Sequence, residues 1–188
     1  MKEKLSANEK ETKDIKIEKE IISQIYRPYL FVTGLFNIDA EYFKKRIEVG
    51  IQNSNLNYTT NVCGQQTDWT FFNKDKNFAI LLLQMIDHLE ELNLELNKFY
   101  LEDSWGLKEK FGDYTKKHHH DTFYISGVLY LNDHHQKLYF PEINQELTPR
   151  KGRFVLFSSF LKHYTKRNIG DTAKYAISFN FRGKAVDS

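Results

Sequence analysis

The chain has 188 residues, enough for one domain with a well-buried core and too few for two comfortable ones. A net charge of +2 gives no global electrostatic reason to bind nucleic acid, and the lone cysteine, Cys63, cannot close an internal disulfide and reads as a buried thiol in a reducing compartment. No apolar run approaches the roughly 18 residues of a membrane helix, and the N-terminus lacks a signal-peptide core, so a cytoplasmic protein without membrane contacts is expected.

Residues 1–22 read as a disordered charged arm. Lysine and glutamate alternate there with too little apolar surface to offset the entropy of ordering, and solvation alone accounts for such a run. Residues 23–188 are expected to form a single domain. A short strand is predicted over Tyr29 to Thr33. Beyond a cap at Asn37 to Asp39, Phe43, Ile47 and Ile51 recur at a period near four, the mark of an amphipathic helix.

Trp69 to Phe72 reads as strand. A longer helix follows from about Lys76 to Leu96, with Phe78, Leu81, Leu82, Met85, Ile86 and Leu89 on one face and Asp87, Glu90 and Glu91 on the other. His88 reads as a surface histidine. From Phe99 the pattern changes to short strands: Phe99 to Leu107, Thr122 to Leu131, Leu138 to Phe140, Phe154 to Ser159 and Ala173 to Phe181. Turn signals separate them at Phe111-Gly112-Asp113, Asn132-Asp133, Lys151-Gly152 and Asn168 to Asp171. With 15 Phe and 11 Tyr, the composition suits a pleated, half-buried surface. Helices first and antiparallel strands second predict an α+β, mainly β architecture, a jelly roll with two helices packed on one side.

The chemistry concentrates between Lys117 and Asn180. His118-His119-His120-Asp121 precedes a strand-like run, His163 follows another, and Lys174 begins a third. Clustered ligands, a distant imidazole and a cation on a neighbouring strand describe a divalent metal beside an anion, the layout of a non-haem iron oxygenase. Residues i and i+2 of an extended segment point the same way, so either His118 with His120 or His119 with Asp121 can join His163. A carboxylate in the set lowers the charge of the metal centre by one unit relative to a third imidazole. His134 and His135, at a turn, are expected to face solvent.

This order resembles the double-stranded β-helix oxygenases that use Fe(II) and 2-oxoglutarate: His-x-Asp/Glu, a long gap, His, then a basic residue. Tyr130-Leu131-Asn132 and Lys174-Tyr175-Ala176-Ile177-Ser178 are similar to strings of the prolyl-hydroxylase-like members. Small phage and bacterial 2-oxoglutarate/Fe(II) oxygenases are also resembled, through Gly64-Gln65-Gln66-Thr67-Asp68-Trp69, Trp105, His118-x-His120 before Ser126-Gly127-Val128, and Ser178-Phe179-Asn180. The likeness runs from about Ile25 to Phe181, and its spacing favours His118 and His120 over His119 and Asp121.

The resemblance implies Fe(II) on His118, His120 and His163, with 2-oxoglutarate gripped at its far carboxylate by Lys174, assisted by Tyr130 and Ser178. Asn180 and Trp105 would line the substrate pocket, and Arg153 and Arg182 are the next candidates for the grip. The expected activity is that of a dioxygenase, a hydroxylase of a small molecule or a peptidyl side chain. The alternatives are a cupin-like metal- or ligand-binding module without oxygenase activity and a structural jelly roll. A carboxylate clamp at Lys174 and Tyr130 separates the first reading from the cupin-like module, and keto-acid-dependent succinate formation separates all three.

Overall fold

The computed structural model of the chain describes residues 22–23, 29–54, 60–91 and 99–183. The proposed arm lies outside them, apart from the backbone of Ile22 and Ser23, as does the predicted end of the second helix at Leu96. The side chains of His88, Leu89, Glu90 and Glu91 lie outside the described set as well.

Strands β1 (Ile22–Ser23) and β2 (Phe31–Leu35) precede helix α1 (Ala40–Asn53). Asp39 caps α1, its carboxylate accepting from the Tyr42 N–H at 3.0 Å, and Phe43 and Ile47 turn inward from the helix. Two-residue strands β3 (Val62–Cys63) and β4 (Gln65–Gln66) lead to helix α2 (Lys76–Glu91), which buries Phe78, Leu81, Leu82 and Met85. The remaining strands are β5 (Phe99–Glu109), β6 (Tyr114–Thr115), β7 (Ile125–Tyr130), β8 (Leu138–Phe140), β9 (Gln145–Leu147), β10 (Arg153–Ser158), β11 (Tyr164–Thr165) and β12 (Lys174–Gly183).

An antiparallel sheet of seven strands, in the order β1-β2-β10-β7-β12-β5-β4, forms one layer. Two smaller sheets, β11-β8-β9 and β3-β6, make up the other. They meet where the Thr115 N–H donates to Thr165 Oγ1 at 2.8 Å and where His118 and His163 bridge.

Period-two alternation divides the large sheet into two faces. Leu129, Phe154, Leu156, Ile177 and Phe179 pack with the helices, while Tyr130, Val155, Phe157 and Ala176 face the smaller sheets. The second face encloses the site. On the helix face, Gly127 leaves room for the Phe179 ring, because a Cβ at this position would lie 2.2 Å from it.

Three expectations are corrected. Trp69 to Phe72 form turns, in which the Phe71 N–H donates to Asp68 O at 3.1 Å and the Phe72 N–H to Ser104 O at 3.0 Å. The aromatic run there serves burial of Phe72 rather than pleating. Cys63 is half-buried on the short strand β3. His134 is buried, its Nε2–H donating to Thr172 O at 3.1 Å and its Nδ1 accepting the Gln136 N–H at 3.1 Å, whereas His135 is exposed.

Candidate metal and co-substrate site

His118 and His163 lie side by side in the layer of the smaller sheets, paired in an antiparallel bridge. The His118 N–H donates to His163 O at 3.1 Å and the His163 N–H to His118 O at 2.9 Å. The His120 N–H donates to Ser159 O at 2.8 Å, which fixes the next inward-facing residue. His118, His120 and His163 thereby offer nitrogens that all lie within 4.8 Å of one another. His119 points outward, its Nε2 lying 2.6 Å from Asp121 Oδ1 in a solvent-exposed pair. The segment brings 118 and 120 to one side and sends 119 and 121 to the other.

The donor chemistry of the cluster fits a metal ion. A carbonyl oxygen can only accept, so the 2.7 Å contact of His118 Nδ1 with Lys116 O and the 2.9 Å contact of His163 Nδ1 with Leu161 O place a proton on each Nδ1. Each Nε2 is then left as a lone-pair donor, with its ring oriented by the backbone. Burial pushes all three imidazoles below their ordinary range, His120 down to about 3 and His163 well down, with the neighbouring imidazoles adding to the effect. They stand neutral at pH 7, as ligation requires. Three neutral nitrogens suit Fe(II), among other first-row metals, and leave its charge uncompensated.

The triad lies at one end of a small cavity, about 50 Å³, between the two layers. Trp105, Leu107, Tyr130, Ala176 and Ser178 line it, and Lys174 reaches its far end. Among the described residues, Lys174 is its one lysine or arginine. Burial, followed by the carboxylate of Glu109, pushes the Tyr130 phenol far up, so it remains a neutral donor.

Asn180 lines both this cavity and a wider outer cleft of about 360 Å³, and its Oδ1 accepts from Ser126 Oγ at 2.8 Å. Trp105 also lines both, edge-on to Trp69 at 4.6 Å, and its buried indole Nε1–H has no hydrogen-bond partner. Asp103 opens on the same cleft, its carboxyl pushed up by burial. The two reserve cations lie elsewhere. Arg153 donates to Thr148 O at 2.9 Å, and Arg182 pairs with Glu102 at 3.4 Å.

Sequence reasoning missed Glu109. It is wholly buried and pairs with Lys174, directly across the β5–β12 ladder. A signal was present in the alternation Trp105, Leu107, Glu109, which puts a carboxylate on the inward face of a strand whose other inward residues are apolar.

The sequence matches no family model and no curated protein. Solved structures do match. The viral collagen prolyl hydroxylase vCPH of Paramecium Bursaria Chlorella virus-1, in complex with 2-oxoglutarate, is 16% identical, with 82% of this chain and 96% of that one covered at a TM-score of 0.58. A Pseudomonas putida prolyl-4-hydroxylase is 19% identical, covering 82% of this chain and 93% of that one at 0.59. HygX of Streptomyces hygroscopicus, with nickel and 2-oxoglutarate bound, is 14% identical, covering 84% and 83% at 0.58. At these identities the likeness establishes the fold, the double-stranded β-helix of these oxygenases.

Proposed function

We propose that the chain is an Fe(II)- and 2-oxoglutarate-dependent dioxygenase acting as a hydroxylase, with the metal held by His118, His120 and His163. The observation that carries this reading is the convergence of three neutral imidazoles, two of them oriented by backbone carbonyls, on a cavity whose opposite end holds a buried lysine. Proteins of the same fold have been solved with 2-oxoglutarate and with nickel in place. When bound, the metal supplies the centre at which decarboxylation of the keto acid is coupled to reduction of oxygen.

The chain itself holds and shields. The Nδ1–H bonds of His118 and His163 orient two of the three imidazoles that would hold the metal. Trp105, Leu107 and Tyr130 wall the keto acid against water, and the Tyr130 phenol and Ser178 hydroxyl offer it hydrogen bonds. Substrate approaches through the outer cleft, where Asn180 and Trp105 present polar groups beside the metal ligands. A small molecule or an extended peptidyl side chain fits this geometry.

With 2-oxoglutarate, Fe(II) and oxygen supplied, the protein is expected to form succinate in stoichiometry with keto acid consumed, and His163→Ala to abolish it. Metal-loaded native protein that forms no succinate contradicts the assignment.

A further inference from the structure

The far end of the cavity carries a feature that gripping a dicarboxylate does not need. The Lys174 ammonium already pairs with Glu109 Oε2, and both side chains are buried, at 4% and 1% exposure. Glu109 is held in place on its other oxygen, Oε1, which accepts from Thr115 Oγ1 at 3.1 Å and from Thr165 Oγ1 at 3.4 Å. Thr165 Oγ1 in turn accepts from the Thr115 N–H at 2.8 Å and from Gln136 Nε2 at 3.3 Å. Strands β5, β6, β11 and β12 therefore all contribute to seating this carboxylate. It lines the same cavity as the three histidines.

The pair makes the far end electrically neutral. A second carboxylate brought to Lys174 from the metal side would share one ammonium with Glu109, and two like charges close together in a poorly solvated space repel strongly. An uncharged distal group meets no such repulsion, and one with a polar atom still finds the Tyr130 phenol and the Ser178 hydroxyl. At the metal end the position is reversed. Three neutral ligands leave the full charge of the ion to attract the 2-oxo-carboxylate, which every 2-oxo acid carries.

We propose that Glu109 is a specificity-determining residue of the co-substrate site, one that relaxes selection for a dicarboxylate and admits 2-oxo acids whose distal end is uncharged. The inference rests on the reading of the triad as an Fe(II)/2-oxo-acid centre and concerns only the end of the cavity remote from the metal. Glu109 acts through Lys174: it sets how much of that cation a ligand can use.

The test is an anaerobic titration of the full-length, Fe(II)-loaded protein with 2-oxoglutarate and, separately, with 2-oxovalerate, which has the same carbon chain without the distal carboxylate. Binding is read from the visible charge-transfer band and from quenching of tryptophan fluorescence. In the native protein the two dissociation constants are expected to lie within about tenfold, the factor that one charge-assisted hydrogen bond would exceed. Glu109→Gln should tighten 2-oxoglutarate by about tenfold or more while moving 2-oxovalerate far less. Because that variant leaves a buried ammonium without its counter-ion, Lys174→Met/Glu109→Gln provides a second arm. It should gain nothing for 2-oxoglutarate, which traces the tightening in Glu109→Gln to the freed ammonium.

A native preference for 2-oxoglutarate well above tenfold, or an unchanged ratio in Glu109→Gln, overturns the role of Glu109 and leaves the oxygenase reading intact. Failure of both acids to bind the metal-loaded native protein removes that reading, and this inference with it.

Discussion

His119 and His120 are neighbours in the chain, yet one meets solvent and a carboxylate while the other meets two imidazoles. What separates them is backbone bonding. The 118–163 bridge and the His120 N–H bond to Ser159 O fix the phase of an extended segment that has too few pairs to count as a strand. His118→Ala, His120→Ala and His163→Ala are each expected to lose stoichiometric Fe(II) binding, with His119→Ala and Asp121→Ala keeping it. Equilibrium dialysis with folding checked by circular dichroism decides the matter, and metal loss in the second pair would move the site by one residue. Alternation in the sequence left His118 with His120 and His119 with Asp121 both open, the resemblance favoured the first pair, and the structure brings the imidazoles of His118, His120 and His163 together. Glu109 was not legible in the sequence, since its role depends on a cross-strand register that no local pattern encodes.

At the scale of elements, β5 and β12 form the longest ladder and carry the buried ion pair. Removing one partner strands the other charge, which costs about 3–5 kcal/mol, whereas replacing both is often close to neutral. Lys174→Met should therefore destabilise the fold far more than Lys174→Met/Glu109→Gln, as measured by urea unfolding. Equal losses would mean that the pair contributes nothing beyond its packing volume. Gly127→Ala should cost about 1–3 kcal/mol by the same measurement, because its Cβ would force the buried Phe179 ring to move. Stability retained in full would show that β7 has room to relax. The two helices and the main strands could be read from periodicity, since each has an apolar face of its own. Trp69 to Phe72 misled because aromatic residues suit strands and buried turns alike, and only the partners on β5 settle which one forms.

At the scale of the molecule, two cores share one sheet: helices on one face, the smaller sheets and the site on the other. Among the described residues no helix is long and apolar enough to cross a membrane. The price of an inward-facing triad is acid sensitivity. Burial depresses the three imidazoles below the ordinary 6.5, so the unfolded chain binds more protons than the fold as pH falls. Their contribution is fully present above about pH 6.5 and declines below it, by up to about 1.4 kcal/mol per pH unit for each imidazole still neutral in the fold, toward the value of about 3 for His120. Urea unfolding of metal-free protein between pH 7 and pH 5, expressed as about a factor of 10 per 1.4 kcal/mol, should show this decline. It should be smaller in His120→Asn, and a pH-independent midpoint would contradict the burial argument.

The central claim is that His118, His120 and His163 hold an iron that accepts a 2-oxo acid in the adjoining cavity. The most direct test is an anaerobic titration of metal-free protein with Fe(II) in saturating 2-oxoglutarate, followed in the visible region. A metal-to-ligand charge-transfer band that saturates at one equivalent of iron and is absent from His163→Ala is the predicted result. Iron binding without the band, or a band of undiminished intensity in His163→Ala, would contradict the account.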